Sequence, residues 1–392
     1  MGILRLYLAL CVVAAHSGEL FPWSAHNGLQ AVEIFFLISG FYMALIAPKY
    51  HTAREFYASR FIRIYIPYWT ILAGIVLTCS VIGIATGKWF ELSAFANYSA
   101  AANGVVGTCL ATVTNFSAFG IDWLCFLTDE PNKGLQLASN GLNVAHPLPS
   151  YVAIKPAWSI GVELMFYVFV PWFNRRSTWS LFGLALLSVS ARITAYELFG
   201  LAHDPWTYRF TPFAMALFLT GMIACRLTRQ IEPKVVQFME HFGPSLISGY
   251  PAQVVGFMAA FWIGLFLTEQ IANTVPVHYA DLVSYLGWAA IIPLLFAVTK
   301  SNKLDRWLGE LSYPVYLVHY FIVSLIAATY TRAPWLPESA RASIVAGISI
   351  AISTILLVWI VAPVERRRSR WAKAISTRWQ STAIESGELR DA

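Results

Sequence analysis

Residues 29–47 read LQAVEIFFLISGFYMALIA, nineteen consecutive positions with a single charged side chain, Glu33. The hydrocarbon core of a bilayer is about 30 Å thick, and a helix needs about 20 predominantly apolar residues to cross it. A run of this length and composition therefore predicts a transmembrane helix.

The rest of the chain has the composition of a membrane protein. Of its 392 residues, 57% are hydrophobic and 12% are charged, whereas about a quarter of an ordinary soluble domain is charged. So few charged side chains exclude a disordered chain, a disulfide-rich secreted scaffold and most soluble enzymes. We expect an all-α polytopic membrane protein with about ten transmembrane helices. The predicted spans are 3–18, 29–47, 64–86, 158–173, 179–199, 209–227, 252–272, 283–299, 311–330 and 342–363.

The positive charge of the chain does not indicate nucleic acid. The net charge is +6, but Lys and Arg occur in short clusters between apolar runs and form no continuous stripe. That spacing is typical of the cytoplasmic loops of membrane proteins. The five cysteines show no spacing typical of metal ligands, so no metal site is expected.

The basic loops predict the orientation of the spans. Residues 48–63 and the turn 174–178 are both rich in Lys or Arg, so both are expected on the cytoplasmic side. An even number of crossings must separate them, and the spans 64–86 and 158–173 already supply two. We therefore predict that the weaker apolar run 104–127 is a re-entrant or surface element within a long outer loop.

This topology places both termini in the cytoplasm and divides the chain into two parts. A membrane domain covers 1–363, and a cytoplasmic tail covers 364–392. The alternative for the N-terminus is a cleaved signal peptide, since Arg5 precedes an apolar core that ends in the small residues of 14–17.

Ionisable residues inside the predicted spans are costly and therefore mark candidate functional sites. Arg5 and His16 lie eleven positions apart in the first span, so they share one helical face about 16 Å apart along the axis. A snorkelling anchor is the structural alternative for Arg5, and a packed histidine is the alternative for His16. Arg192 is a further intramembrane charge, for which the sequence suggests no partner.

Two further clusters lie near the ends of spans. Arg60 and Arg63 lie three apart on one helical face, where their planar guanidinium groups suit an anionic ligand such as phosphate. The cytoplasmic excess of basic residues is the alternative explanation. Glu33 lies near the outer interface, where simple solvation is the alternative, and Ser39 with Gly40 permits close helix packing.

Two more spans carry polar residues on one face. Ser159 and Glu163 are four positions apart and point the same way at the start of their span. Ser312, Tyr316 and His319 form one helical stripe, and His319 lies roughly 12 Å inside the apolar segment. A carboxylate and an imidazole at such depth predict a functional site.

Taken in order, these motifs resemble those of the acyltransferase-3 family of integral membrane acyltransferases. The motifs are Arg5-x10-His16, Val32-Glu33-Ile34-Phe35-Phe36-Leu37-Ile38-Ser39-Gly40-Phe41, Arg60-x-x-Arg63 before Pro67-Tyr68, Trp158-Ser159-x-x-x-Glu163 and Ser312-Tyr313-x-x-Tyr316-Leu317-x-His319. Each motif alone is a weak signal, but together they extend from residue 5 to residue 319. The sequence departs from the family pattern at Glu33, where Asp is frequent, and at Ile160-Gly161-Val162.

The resemblance implies transfer of an acyl group, commonly acetyl from acetyl-CoA, to a sugar hydroxyl of an envelope or secreted glycan at the bacterial inner membrane. The expected partners are the acyl-CoA donor, a glycan or lipid-linked sugar acceptor and membrane lipid. The implied catalytic residues are His16, Glu163 and Glu33. The implied donor-binding residues are Arg5, Arg60 and Arg63. The predicted substrate-binding residues are Ser39, Trp158, Ser159, Tyr316 and His319.

We expect His16 to act as a general base on the acceptor hydroxyl, with Glu163 or Glu33 orienting the imidazole. An acyl-histidine intermediate is a variant of this mechanism. The alternative function is a transporter that uses the same His, Arg and Glu residues as a proton or substrate path. A transporter would favour inverted repeats, which the sequence does not show.

Overall fold

The structure, a computed structural model, describes residues 1–20, 27–98, 104–130, 133–242, 277–330 and 340–367, together with residues 262 and 337. Its helices are α1 (Gly2–Ser17), α2 (Gly28–Ile46), α3 (Ala53–Thr86), α4 (Ser93–Ala96), α5 (Val105–Ser117), α6 (Trp158–Asn174), α7 (Thr178–Phe199), α8 (Thr211–Phe242), α9 (Val277–Thr299), α10 (Lys303–Tyr330) and α11 (Arg341–Leu356). A π-helical turn, Leu357–Val361, continues α11. The strands are β1 (Leu127–Glu130) and β2 (Gly134–Leu137).

The prediction of an all-α membrane protein is confirmed. In the described part of the chain, seven helices are long and apolar enough to cross a membrane, and shorter apolar helices lie at Gly2–Ser17, Val105–Ser117 and Ser284–Ala297. Every predicted span except 252–272 coincides with a described helix. That span and the tail residues 368–392 lie outside the described residues, so the count of ten stays a prediction.

Helix α3 begins well before its predicted apolar run. The hydroxyl of Thr52 accepts a hydrogen bond from a backbone N–H of the first turn at 3.2 Å, and Gly87, with φ of +73°, ends the helix. At 1.5 Å per residue, the 34 residues of α3 extend about 51 Å, which is far more than the bilayer core. Arg60 and Arg63 therefore lie on a regular helix that continues beyond the membrane-spanning part.

Helices α2 and α8 approach each other closely at two glycines. A Cβ on Gly40 would lie 1.9 Å from the carbonyl oxygen of Phe218, and one on Gly221 would lie 2.0 Å from that of Leu37. The backbones therefore touch at these points, as small residues allow in membrane helices. The predicted close packing at Ser39-Gly40 is confirmed.

Helix α1 is held against α10 at its N-terminus. The Asp305 carboxylate accepts hydrogen bonds from the backbone N–H groups of Gly2 at 2.8 Å and Ile3 at 2.9 Å. These N–H groups have no partner within their own helix, so the carboxylate caps α1 from a neighbouring element. This contact sets the axial position of α1, and with it the height of His16 relative to His319.

The element predicted at 104–127 contains a helix that is short for a crossing. Helix α5 has 13 residues, about 20 Å in length, compared with a core of about 30 Å. Its last carbonyl groups, at residues 115–117, accept hydrogen bonds from side chains of α3, including Tyr68 at 2.7 Å and Trp69 at 2.8 Å. Because backbone groups must be paired where water is excluded, these contacts fit a re-entrant element.

The segment between α3 and α6, which the charge pattern predicts to lie outside and which we call the outer segment, contains the one hairpin of the described residues. Strands β1 and β2 pair antiparallel, with Leu127 opposite Leu137. This small sheet follows a 3-10 segment, Ile121–Phe126, and leaves the membrane part entirely helical.

The α2–α8 contact gives a stability prediction. We expect Gly40→Ala to destabilise the protein by about 1–3 kcal/mol, since the added methyl forces the two backbones apart. Gly74→Ala is the matched control, because a Cβ at Gly74 meets nothing within 4 Å and Ala is the better helix former. Thermal unfolding of the purified protein in detergent measures both. Equal melting temperatures for the two variants would contradict the close contact.

Candidate functional site

Two imidazoles, the buried ring of His319 and the more exposed ring of His16, meet at the interface of α1 and α10. His16 Nδ1 lies 2.9 Å from the carbonyl oxygen of Val12 and 3.2 Å from His319 Nε2, and His319 Nδ1 lies 2.6 Å from the carbonyl oxygen of Tyr316. A carbonyl oxygen only accepts, so in the neutral pair each Nδ1 carries the proton. The one Nδ1–H of His16 is then shared between the Val12 carbonyl and His319 Nε2, and in this tautomer His16 Nε2 is left unprotonated.

The His16 ring faces a cavity of about 670 Å³, which we call the His16 cavity. Its polar and aromatic lining includes Lys155, Arg209, Trp158, Tyr208, Tyr316 and Tyr320. The Arg209 guanidinium lies 4.5 Å from the centre of the Trp158 ring, and its Nε donates to Asp204 at 2.8 Å. A few fixed polar groups among aromatic rings are typical of a ligand-binding pocket.

A second cavity, of about 350 Å³, is the most basic in its lining; we call it the Arg63 cavity. Its cationic residues are Arg5, Arg60, Arg63, Lys300 and Arg306. It adjoins a branch of about 400 Å³ that reaches the π-helical turn after α11 and shares three of these arginines. The structure thus brings together the three arginines predicted to bind the donor.

Arg60 has an unsatisfied donor at this cavity. The side chain is 9% exposed, and its Nε has no hydrogen-bond partner among the described residues. Its Nη2 makes only long contacts, 3.5 Å to the Tyr50 hydroxyl and 3.4 Å to that of Ser59. A buried guanidinium nitrogen without an acceptor is costly, so the position is suited to an anionic ligand.

Glu163 lies at the Arg63 cavity and binds two hydroxyl groups. Its Oε1 accepts hydrogen bonds from Ser39 Oγ and from the Tyr167 hydroxyl, and these two oxygens are 3.1 Å apart. Ser39 and Glu163 come from α2 and α6, so this cluster joins two spans beside the basic lining. Glu163 therefore shares one cavity with the three predicted donor-binding arginines, whereas the other two predicted catalytic residues, His16 and Glu33, do not line it.

Glu33 is engaged in a different contact. Its Oε1 lies 3.4 Å from Arg192 Nη1, its Oε2 accepts from the Tyr285 hydroxyl, and both charged side chains are at most 5% exposed. Arg192 Nε also donates to Tyr196 at 2.6 Å. Arg192, for which the sequence suggested no partner, thus forms a buried ion pair that joins α2 to α7.

These contacts correct the predicted orientation of the catalytic imidazole. We expected Glu163 or Glu33 beside His16, but the side chain at hydrogen-bonding distance in the described structure is His319. The physical reason is the register of α1 against α10, which stacks the two imidazoles, while each carboxylate is bound by partners of its own. His319, predicted to bind substrate, takes the orienting position.

The remaining predicted residues lie at the boundary of the two cavities. Tyr316 and Val32 line both of them, Ser159 lines the Arg63 cavity and Trp158 the His16 cavity. The Tyr316 hydroxyl lies 2.8 Å from Ser159 Oγ. The predicted donor-binding arginines and His16 therefore line two different cavities, which share Val32 and Tyr316.

Two buried carboxylates of the outer segment were not recognised from the sequence. Asp122 is 1% exposed, accepts from Thr211 Oγ1 at 3.2 Å and has no partner for Oδ1 among the described residues; burial raises the pKa of its carboxyl to about 7. Burial also raises the pKa of Glu91, which accepts from the Ser324 hydroxyl at 2.5 Å. Single carboxylates in a long loop give no spacing signal, so only the fold reveals them.

The described residues contain no cluster of three or more His, Cys, Asp or Glu side chains that could hold a metal ion.

Comparison with known proteins finds a family match over nearly the whole chain. The family model for acyltransferase 3, described as an acyltransferase domain, matches residues 1–362. An uncharacterized protein of Aquifex aeolicus (strain VF5) is 24% identical over 176 residues, which are 44% of this chain and 71% of that protein. No solved structure matches the chain.

The Glu33–Arg192 pair allows a test of whether Glu33 is structural. Breaking a buried ion pair from one side leaves an unpaired charge and costs about 3–5 kcal/mol, whereas removing both charges costs far less. We therefore expect Glu33→Gln and Arg192→Met each to lower the melting temperature strongly, and the double variant to recover most of the loss. Additive losses in this double-mutant cycle would show that the pair does not stabilise the fold.

Proposed function

The chain belongs to the acyltransferase 3 family, and from this premise we propose that it transfers an acetyl group from acetyl-CoA to a hydroxyl of an envelope or secreted glycan. The match confirms the resemblance carried by the motifs, and the protein is a membrane acyltransferase. The observation that supports the finer proposal most directly is that His16 lines a cavity of its own while its Nδ1 is held by the Val12 carbonyl and His319.

The Arg63 cavity supports an anionic donor. A CoA thioester carries several phosphate charges, and Arg pairs with phosphate through two parallel hydrogen bonds. Arg5, Arg60 and Arg63 converge there from two helices, and the Nε of Arg60 has no acceptor in the described structure. In the proposal, these groups hold the phosphates while the acyl end of the donor extends along α1 towards His16.

The imidazole pair supports general-base catalysis. His16 Nε2 accepts the proton of the acceptor hydroxyl as its oxygen attacks the thioester carbon. The carbon–sulfur bond then breaks, and the proton passes from His16 to the leaving CoA sulfur. His319 and the Val12 carbonyl fix the tautomer and orientation of His16 through Nδ1, so His319 is a positioning residue in this mechanism.

The distribution of charge supports a donor that enters from the cytoplasm of a bacterial inner membrane. The Arg63 cavity is lined from α1, α3 and the α9–α10 connection by residues that the positive-inside rule places on the cytoplasmic side. The His16 cavity is lined instead by Trp158, Tyr208 and the outer segment. Aromatic rings with a few polar groups suit a sugar acceptor.

The role of His16 can be tested with the purified full-length protein and radiolabelled acetyl-CoA. We expect His16→Ala to reduce acetyl transfer to glycan by about 10²–10⁴-fold, as for loss of a general base, and His319→Ala to reduce it less. His51→Ala is the control, because His51 is exposed and lines neither cavity. Full transfer by His16→Ala would overturn the assignment. Solute flux without release of CoA would support the transporter instead.

Donor binding by the arginines gives a separate prediction. Because a hydrogen bond to a charged group contributes about 1.5–3 kcal/mol, we expect Arg60→Ala to raise the KM for acetyl-CoA by about 10–100-fold. Arg60→Lys should recover part of this loss, since it keeps the charge without the planar fork. Arg54→Ala, an exposed arginine of the same helix, is the control. An unchanged KM with a lower kcat would place Arg60 outside the donor site.

A further inference from the structure

The His16 cavity and the Arg63 cavity adjoin at two residues that line both, and we call these two residues the wall. Tyr316 and Val32 are the residues that line both the His16 cavity and the Arg63 cavity. None of the arginines of the Arg63 cavity lines the His16 cavity, and His16 does not line the Arg63 cavity. Under the proposed function, a donor held by the arginines must therefore pass this wall to bring its thioester to His16.

The side chain of Tyr316 is held across the wall by polar contacts. Its hydroxyl lies 2.8 Å from Ser159 Oγ and donates to the carbonyl oxygen of Pro156 at 3.1 Å. Ser159 Oγ lies 3.1 Å from the same carbonyl, and both side chains are at most 7% exposed. The hydroxyl of Tyr316 on α10 is thus latched to the start of α6.

The ring of Tyr316 lies near one residue of the Arg63 cavity and near the hydrogen-bond partner of His16. Its centre is 6.2 Å from that of Phe35, which lines the Arg63 cavity, and 5.9 Å from that of His319, the partner of His16. A rotation of this one side chain would therefore remove the aromatic part of the wall. The latch to Ser159 is what opposes such a rotation.

We propose that Tyr316, latched by Ser159, is a gate between the donor and acceptor cavities that admits the acyl arm of the donor and withholds the thioester from water. This inference rests on the proposed function. A base that activates a sugar hydroxyl also activates water. Water would attack the same carbonyl carbon, the carbon–sulfur bond would break, and a free carboxylic acid and CoA thiol would form. Separation of the cavities limits this hydrolysis until the acceptor is in place.

The first experiment measures CoA release by the full-length protein in nanodiscs with acetyl-CoA and no acceptor. We expect Tyr316→Ala to raise this acceptor-independent release about tenfold over wild type, equivalent to about 1.4 kcal/mol in the barrier, and Ser159→Ala to raise it less. Tyr57→Phe is the matched control, since its hydroxyl donates to the Val168 carbonyl at 2.7 Å away from both cavities. The gate would be overturned if folded Tyr316→Ala and Ser159→Ala both showed lower acceptor-independent CoA release and lower acetyl transfer than wild type.

The second experiment does not depend on catalysis. Ser39, which lines the Arg63 cavity and not the His16 cavity, is changed to Cys in a chain whose five native cysteines are replaced, and the protein is reconstituted in liposomes. A membrane-impermeant methanethiosulfonate is added to one compartment at a time. We expect modification from one compartment with Tyr316 present and from both with Tyr316→Ala. Two results would overturn the gate. One is modification of the introduced cysteine from both compartments while Tyr316 is present. The other is modification from a single compartment both with Tyr316 and with Tyr316→Ala.

The two experiments distinguish failure of the gate from failure of the proposed function. One-sided modification that becomes two-sided in Tyr316→Ala supports the gate even if wild type transfers no acetyl group when a glycan acceptor is supplied. That absence of transfer would overturn the acetyltransferase alone. Acetyl transfer to glycan with two-sided modification in wild type would overturn the gate alone.

Discussion

His319 is fully buried, and its Nε2 accepts a hydrogen bond from His16 Nδ1 across the interface of α1 and α10. Both Nδ1–H groups are directed to backbone carbonyls, so a single imidazole nitrogen, His16 Nε2, remains as a base. The contact requires one axial register of the two helices. Asp305 at the start of α10 enforces that register by capping α1, and Gly2 packs directly against Gly309.

An unpaired polar group in a membrane is costly in free energy, so the presence or absence of a hydrogen-bond partner helps to distinguish structural from functional residues in this fold. Most of the polar groups at depth have partners: Glu33 binds Arg192, and the carbonyls at the end of α5 accept from side chains of α3. A few described side chains, Arg60 among them, keep a buried polar atom without a hydrogen-bond partner, and the Nε of Arg60 is the one that belongs to the basic lining of the Arg63 cavity. That contrast supports an anionic ligand at the Arg63 cavity and a structural role for the Glu33–Arg192 pair.

The chemistry of the two cavities is complementary and spatially divided. One is lined by five cationic side chains and the carboxylates of Glu163, Asp305 and Glu310, and the other by aromatic rings, Lys155 and Arg209 around an imidazole. A membrane enzyme that joins a donor and an acceptor from opposite faces must keep the two aqueous phases apart while the reacting groups meet. In the proposed mechanism, Tyr316, which lines both cavities, meets both requirements.

Much of the fold and many of the site residues could be predicted from the sequence. Apolar runs predict membrane helices because every backbone polar group in lipid must be paired within a helix, and this holds whatever the helices pack against. Helical spacing likewise placed Arg60 beside Arg63, and Ser159 beside Glu163. Intramembrane ionisable residues such as His16 can be recognised in the sequence for a similar reason. The free-energy cost of placing them in a membrane is evident from the apolar run around them, whatever that run packs against.

Only the tertiary structure decided which of these residues meet. Whether His16 lies beside Glu163 or His319, and whether Glu33 binds Arg192, depends on the axial register and rotation of helices far apart in the chain. Asp305 and the glycine contacts between α2 and α8 set that register and rotation. The division of the polar interior into two cavities has the same origin, because Tyr316 and Ser159 lie 157 positions apart in the chain. Periodicity along one helix determines its faces, but packing between helices determines what each face contacts.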